Sequence, residues 1–597
     1  MLSPDSRIVA MDQLKPPPGY RLDFTVLTTY SLDLEVLLAL PLAVLAQAEE
    51  GVEELLQDPL LLLEALREAG ERVQVFVDEG GVAIPGNSRA LYSALEASVH
   101  PVRAPNGGAF HPKVWVARFV SEDRPPLIRV SVASRNLTFD RSWDLALTSE
   151  ATVGKKVVAA SKPLATLLRR LPALGREPQQ KDRASAIEQL ASEVQRTVFP
   201  APEGFTGQLD FQVLGLGKKG ALWKPVEQAR RVLAIAPFVS AKTLHSVAWI
   251  ATHESQLVSR SEELAKLTED LNEDWDGGIR VLHSSAEGEP EDGSHHRPSG
   301  LHAKALVFEQ GHQATWFIGS ANLTDAAFSG RNVEVMASIS GPKGRSGGDK
   351  GVGIDQFLNA GFLNLCEDYQ PQERMPESDE ALEVAEKLKQ AQDALLGSEL
   401  KVACHSAEQD WQLAVQGHVE VPEGVQVSVW PLSVEEHQAK TFCEDVSWAL
   451  PIARLTAFVA FSLKVVGYKD ELRFVLKLAA TGMPESRLHH VLRTLIDSPE
   501  RFLQLLRALL GGLEEMNHLI GDKTGDAWQF SSTQGLRGEP LLEDILRSAS
   551  RDPQRLVPIR RLIADLRESE EGREIVSDEL YELWQVVDAV LDERLSS

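Results

Sequence analysis

The sequence predicts an α/β protein built from two tandem sandwich lobes, followed by a β-rich domain and a helical C-terminal domain. Three observations predict it. A chain of 597 residues is too long for one hydrophobic core. Its first part alternates β-branched apolar runs with amphipathic stretches and carries one uncommon motif twice. After about residue 396 the period changes, first to the alternation of strands and then to that of helices.

The first lobe is expected over residues 1–180. It contains "LDFTVLTTYSLD" (Leu22 to Asp33), "RVQVFVDEGG" (Arg72 to Gly81) and His111-x-Lys113, followed by Ser134-x-Asn136. The second lobe, residues 181–370, answers with "VLAIAPFVSA" (Val232 to Ala241), "IRVLHSSAEG" (Ile279 to Gly288), His302-x-Lys304 and Ser320-x-Asn322. The two histidines lie 191 residues apart, which suits one motif per lobe. Asn136 follows Lys113 by 23 residues and Asn322 follows Lys304 by 18, and both open the triplet Asn-Leu-Thr. The first copy has Ala133 where the second has Gly319. The run Val36 to Ala46 is too short to cross a bilayer and contains Pro41, so it reads as a buried helix. Two polar, Gly-rich segments, Ser284 to Gly300 and Gly341 to Gly353, read as loops beside the second motif.

Residues 371–396 are charged and rich in Ala, Glu and Lys, which reads as a helical linker. Residues 397–485 alternate as strands and 486–597 have helical periodicity. Neither C-terminal domain carries a chemical motif, so partner or substrate recognition is the default expectation there.

Composition narrows the function. Lys and Arg total 61 against 87 Asp and Glu, a net charge of −26, so nucleic-acid binding would need a local basic groove. The three cysteines, Cys366, Cys404 and Cys443, show no CxxC spacing. That argues against a zinc site or disulfide framework and fits a reducing cytoplasm. The N-terminus has no signal-peptide pattern, and no run is long enough for a membrane span. A cytoplasmic protein is expected.

In a strand, residues i and i+2 share a face, so His-x-Lys sets an imidazole beside an ammonium. Two such pairs facing each other could cleave a phosphodiester without metal or cofactor. One imidazole attacks phosphorus, splitting one hard step into two. The other protonates the leaving oxygen and later activates water. Lys113, Lys304, Asn136 and Asn322 supply positive potential around the phosphoryl oxygens. Ser134 and Ser320 support the phosphate or hold the histidines. Trp115 and Trp316 are expected in the core, and His295, His296 and His312 at the surface.

Over about residues 20–365 the pattern resembles the phospholipase D superfamily, whose motif is His-x-Lys, four residues, Asp, then Gly-Ser-x-Asn. The Asp position holds Arg118 in the first copy and Glu309 in the second. That departure resembles the tyrosyl-DNA phosphodiesterase branch, as does "WFIGSANLTDAAFSG". The resemblance implies two phospholipase D-like lobes and His111, Lys113, Asn136, His302, Lys304 and Asn322 as catalytic residues. It implies Glu334, and less strongly Asp144, as carboxylates that orient the other lobe's histidine. It also implies a nuclease or phosphodiesterase acting on nucleic acid, DNA before RNA. A second likeness, to bacterial nuclease-like members of the superfamily, implies a helicase or ATPase partner and a role in phage defence. Two alternatives stand beside this one: a nucleic-acid clamp without turnover, and a phosphatidyl-transfer enzyme. The missing Asp residues and the lack of a basic amphipathic helix weigh against the last.

Overall fold

The computed structural model describes residues 10–38, 72–140, 142–177, 180–217, 222–267, 273–283, 300–345, 350–371, 379–407, 410–488, 556–567 and 575–595, with 220, 271, 490, 491, 502 and 573 as single residues. The first sheet contains β1 (Arg21–Thr29), β2 (Val73–Asp78), β3 (Val99–Val102), β4 (Val114–Val120), β5 (Leu127–Ala133) and β6 (Ala146–Thr152). Its strand order is β3-β2-β1-β4-β5-β6. The second contains β7 (Thr206–Leu214), β8 (Ala229–Ile235), β9 (Ala251–Ser259), β10 (Ile279–Leu282), β11 (Ala305–Gln310), β12 (Gln313–Gly319), β13 (Glu334–Pro342) and β14 (Cys366–Asp368). Its order is β14-β10-β9-β8-β11-β12-β13-β7.

The second sheet repeats the first with one added strand at each edge. In both, a parallel trio (β3-β2-β1, β10-β9-β8) meets an antiparallel meander (β4-β5-β6, β11-β12-β13). This corrects one sequence match. The strand equivalent to β2 is β9, whereas Ile279 to Leu282 is equivalent to β3. The polar, largely exposed first half of β9, Ala251 to Glu254, hides its strand character from a search for apolar runs.

Alternation along the strands assigns each face. In the first sheet Val26, Phe76, Val114, Val116 and Val130 turn toward the second sheet's Leu233, Ile235, Val307, Trp316 and Val335, and all belong to one buried cluster. The helices Lys162–Leu174 and Lys181–Val194 close this cluster. The opposite face of the first sheet, with Leu27, Val75, Val77 and Phe119, packs on the β-rich region. The opposite face of the second sheet, with Ala234, Leu306, Phe308 and Phe317, packs on the helix Ala241–Ala248. Trp316 is buried and donates from Nε1 to Val352 O, and Trp115 packs at the edge of the core shared with the β-rich region. His312 is exposed, whereas His295 and His296 lie outside the described residues.

The β-rich region forms two four-stranded sheets from β15 (Lys401–Ser406), β16 (Trp411–Gln416), β17 (Val425–Pro431), β18 (Lys440–Thr441), β19 (Asp445–Leu450), β20 (Phe458–Val465), β21 (Glu471–Lys477) and β22 (Ala479–Thr481). It is anchored on the first sheet's half by Lys477 Nζ to Val99 O and by Arg487 to Glu96. The helix Asp379–Gly397, expected as a linker, is docked: Val384, Leu388, Ala391 and Leu395 form an apolar stripe buried against these strands. Their i, i+4, i+7, i+11 spacing puts all four on one face, which the charged residues between them obscure. Of the apolar run Val36 to Ala46, only Val36, Leu37 and Leu38 are described, and all are buried. Most of the first Gly-rich loop, residues 346–349 of the second, and most of 486–555 lie outside the described residues. Beyond them, the helices Leu556–Arg567 and Asp578–Leu595 are described.

Candidate active site

Each His-x-Lys segment sits just before its strand, not within it: β4 begins at Val114 and β11 at Ala305. The backbone there is extended but pairs with the opposite half of the chain. Phe110 bridges Val333, and His111 N donates to Val333 O at 3.0 Å. Reciprocally, Leu301 bridges Trp143, and His302 N donates to Trp143 O at 2.9 Å. Two short exchanges of backbone hydrogen bonds therefore bring both motifs to one junction. A strand-by-strand reading misses this because the partner lies about 200 residues away in sequence.

The residues just after these bridges are the two carboxylates. His111 Nδ1 lies 2.8 Å from Glu334 Oε2, and His302 Nδ1 lies 2.8 Å from Asp144 Oδ1. Each carboxylate is held by the serine of its own half: Ser320 Oγ donates to Glu334 Oε2, and Ser134 Oγ donates to Asp144 Oδ1 at 2.7 Å. The serines thus support the carboxylates that hold the histidines. Asn332 Nδ2 approaches the second oxygen of Glu334 at 3.3 Å. Both lysines fold back on their own motif, Lys113 Nζ to His111 O at 3.0 Å and Lys304 Nζ to His302 O at 2.6 Å.

The electrostatics follow from burial. Desolvation pulls His111 down to about 4, because the Lys113 and Lys304 charges add to it and Glu334 only partly opposes them. His302 is lowered too, by burial first, with the Asp144 hydrogen bond opposing. Burial alone would raise Glu334 and Asp144, but their histidine, serine and lysine partners outweigh it and hold both carboxyls low. At neutral pH the arrangement is two ionised carboxylates on two neutral imidazoles. A carboxylate on Nδ1 fixes the proton there and leaves Nε2 as the nitrogen available for chemistry. Lys113 is lowered to about 7 by burial, and Lys304 falls well below its ordinary value for the same reason, with Lys113 adding to the fall. Each histidine feels the opposite half's lysine.

Asn136 Oδ1 lies 3.5 Å from Ser31 N. Asn322 is not a helix cap, because Thr324 is the N-cap of the helix Asp325–Phe328. Its Oδ1 is buried with no hydrogen-bond partner among the described residues. At Gly319 an added Cβ would stand 2.1 Å from Val335 O, so the turn into Ser320 needs glycine in this half. Arg118 and Glu309 belong to ion-pair clusters further along the strands. Arg118 meets Asp23 and, in a two-pronged contact, Glu193 on the helix Lys181–Val194. Glu309 meets Arg231 and accepts from Ile354 N.

Sequence reasoning missed four neighbours. The Tyr30 ring lies 5.2 Å from that of His111, and Lys113 Nζ lies 5.8 Å from its centroid. Asp78 Oδ1 accepts from Phe110 N at 2.6 Å, and burial raises its carboxyl to about 7. In the second half Arg260 stacks on Phe238 and donates from Nε to Leu301 O at 2.7 Å. The signal was available: Asp78 and Arg260 each stand at the end of the strand next to the first strand of a copy. The misaligned repeat concealed their correspondence.

The chain matches no known protein family and no curated protein. Among solved structures it is similar to yeast tyrosyl-DNA phosphodiesterase, at 11% identity over 56% of this chain and 88% of that one, with a TM-score of 0.34. Two histidine-substituted forms of that yeast protein give the same identity and score, covering 55–56% of this chain and 85% of theirs.

Proposed function

We propose that this protein is a metal-independent phosphodiesterase of phospholipase D-like architecture that cleaves nucleic acid through a phosphohistidine intermediate. The observation that carries this reading is the reciprocal pairing of His111 with Glu334 and His302 with Asp144 across the two halves. A solvated pair of histidines would need neither a buried carboxylate nor a buried lysine beside each ring.

In this reading His111 Nε2 attacks phosphorus, the P–O bond to the leaving group breaks, and protonated His302 gives its proton to the departing oxygen. Neutral His302 then takes a proton from water. The resulting hydroxide attacks phosphorus, and the P–N bond returns its electron pair to His111. Lys113, Lys304, Asn136 and Asn322 stabilise the phosphoryl oxygens through both steps. The assignment of His111 as nucleophile follows the resemblance and the larger burial of its ring. The helicase or ATPase partner and the phage-defence setting rest on resemblance alone, and no described residue points to either.

The test is hydrolysis of bis(p-nitrophenyl) phosphate, labelled single- and double-stranded DNA, RNA and phosphatidylcholine. Nucleic-acid cleavage lost in both His111→Asn and His302→Asn is expected. Cleavage of phospholipid alone, or nucleic-acid turnover at wild-type rate in both variants, would overturn the reading.

A further inference from the structure

The site has an approximate two-fold symmetry, and one pair of residues breaks it with opposite charge. Strand register makes the correspondence explicit. Leu27 pairs with Trp115 and Val75, and Ala234 pairs with Leu306 and Leu257. Trp115 and Leu306 each stand two residues after a motif lysine. Val75 therefore corresponds to Leu257, and counting three residues on, Asp78 corresponds to Arg260.

Their contacts also correspond. Asp78 Oδ1 accepts from the backbone of Phe110, the residue before His111. Arg260 Nε donates to the backbone of Leu301, the residue before His302. One position thus holds the same backbone with opposite charge in the two halves. Beside Asp78 stands Tyr30 and beside Arg260 stands Phe238, each 39% exposed. The Arg260 side chain is itself about one-fifth exposed and contributes positive potential at Lys304. Asp78 acts on Lys113 with the opposite sign.

We propose that Arg260 and Asp78 set the polarity with which a phosphodiester strand lies across the site: Arg260 receives the phosphate next to the scissile one, and Asp78 excludes it from the other side. This rests on the phosphodiesterase reading and deepens it. Two histidines with near-identical partners would accept a strand in either direction, and either could become the nucleophile. A phosphate anchored at Arg260 commits the strand to one direction. A guanidinium held at Nε presents Nη1 and Nη2 for a planar two-oxygen contact with phosphate, for which the exposed Glu262, whose Oε1 lies 3.9 Å from Nη1, would have to swing aside. At the matching place the Asp78 carboxyl repels the same group once ionised, above its raised value of about 7, so the compounds are compared on the alkaline side of that value. Arg260 and Asp78 are therefore positioning residues, acting on a group remote from the reacting phosphorus.

The test uses four compounds: thymidine 5′-(p-nitrophenyl phosphate) with and without a 3′-phosphate, and thymidine 3′-(p-nitrophenyl phosphate) with and without a 5′-phosphate. In the wild-type protein the added phosphate should raise kcat/KM, mainly through KM, in one series only. The gain should be about tenfold, the worth of one charge-assisted hydrogen bond. Arg260→Gln should abolish that gain and Arg260→Lys should restore most of it. Asp78→Asn retains an acceptor for Phe110 N but removes the charge, and it should let the second series gain as well. Equal gains in both wild-type series, or a gain that survives Arg260→Gln, would overturn the proposal. An unresponsive second series in Asp78→Asn would overturn Asp78's part. Calorimetric titration of the same compounds gives Kd with or without cleavage. A lack of hydrolysis would therefore defeat the phosphodiesterase reading, while the polarity claim would be decided by Kd alone.

Discussion

Replacing Glu334 by Gln probes the carboxylate–imidazole pair with the least change of shape. Oε2 of Glu334 accepts from both His111 Nδ1 and Ser320 Oγ, while Oε1 faces Asn332 Nδ2 at 3.3 Å. The amide will therefore turn its oxygen toward His111 and Ser320, sacrificing only the long Asn332 contact. The proton stays on Nδ1, so the tautomer survives and the charge alone is lost. At 2.8 Å and an effective dielectric of 20, the Coulomb attraction on a charged ring is about 6 kcal/mol, an upper bound. The net value of a hydrogen bond to a charged group, about 1.5–3 kcal/mol, is the better guide. The ring becomes cationic only as the covalent bond forms, so that loss falls on the transition state. The rate of adduct formation should drop about 10- to 100-fold, measured as the release of p-nitrophenol in a single turnover. A folded Glu334→Gln protein reacting within threefold of wild type would refute the argument that this carboxylate stabilises the attacking ring.

The other expectations can be tested together. Cleavage should be indifferent to EDTA, since in the proposed mechanism Lys113, Lys304, Asn136 and Asn322 meet the charge on the phosphoryl oxygens; loss on chelation with recovery on Mg²⁺ would contradict it. On an activated diester, His302→Asn should accumulate a covalent adduct on His111, visible by intact-protein mass spectrometry, whereas His111→Asn should form none; an adduct on His302 would reverse the roles. Activity should peak on the acid side, falling below about pH 4 as His111 protonates and falling again as the pH rises through the lowered value of His302; a rate still climbing at pH 8 would contradict it. Because His111 titrates lower in the folded chain than in the unfolded one, its contribution is complete above the unfolded value and lost as pH falls toward 4. That amounts to about 3 kcal/mol, read as a decline in denaturant midpoint between pH 6.5 and 4. Gly319→Ala should lower thermal stability and activity together, since its Cβ would collide with Val335 O, whereas Ala133→Gly at the matching position should leave the site intact.

What could be read from the chain alone was the motif and its duplication, because His-x-Lys and Ser-x-Asn are local patterns. The pairing of each histidine with a distant carboxylate was legible only through resemblance. Composition and period say nothing about which segments exchange backbone hydrogen bonds across 200 residues. Resemblance favours Glu334 over Asp144, yet the two make the same 2.8 Å contact. The polar start of β9 broke the apolar signal, which misaligned the repeat and hid Asp78 and Arg260. The helix Asp379–Gly397 reads as a linker for a related reason. Charges that keep its outer face in water dominate its composition, while four apolar residues do the packing.

The exchange of carboxylates between halves also has an ancestral consequence. Neither half holds a complete histidine–carboxylate pair, so on the proposed reading a lone half would be inactive. Two identical halves related by a rotation axis would complete both pairs at once. Joining such a dimer into one chain preserves the exchange and releases each half from having to match the other. The differences seen here, Glu334 against Asp144, Gly319 against Ala133 and Arg260 against Asp78, are of the kind that a fused pair is free to accumulate and an identical pair is not.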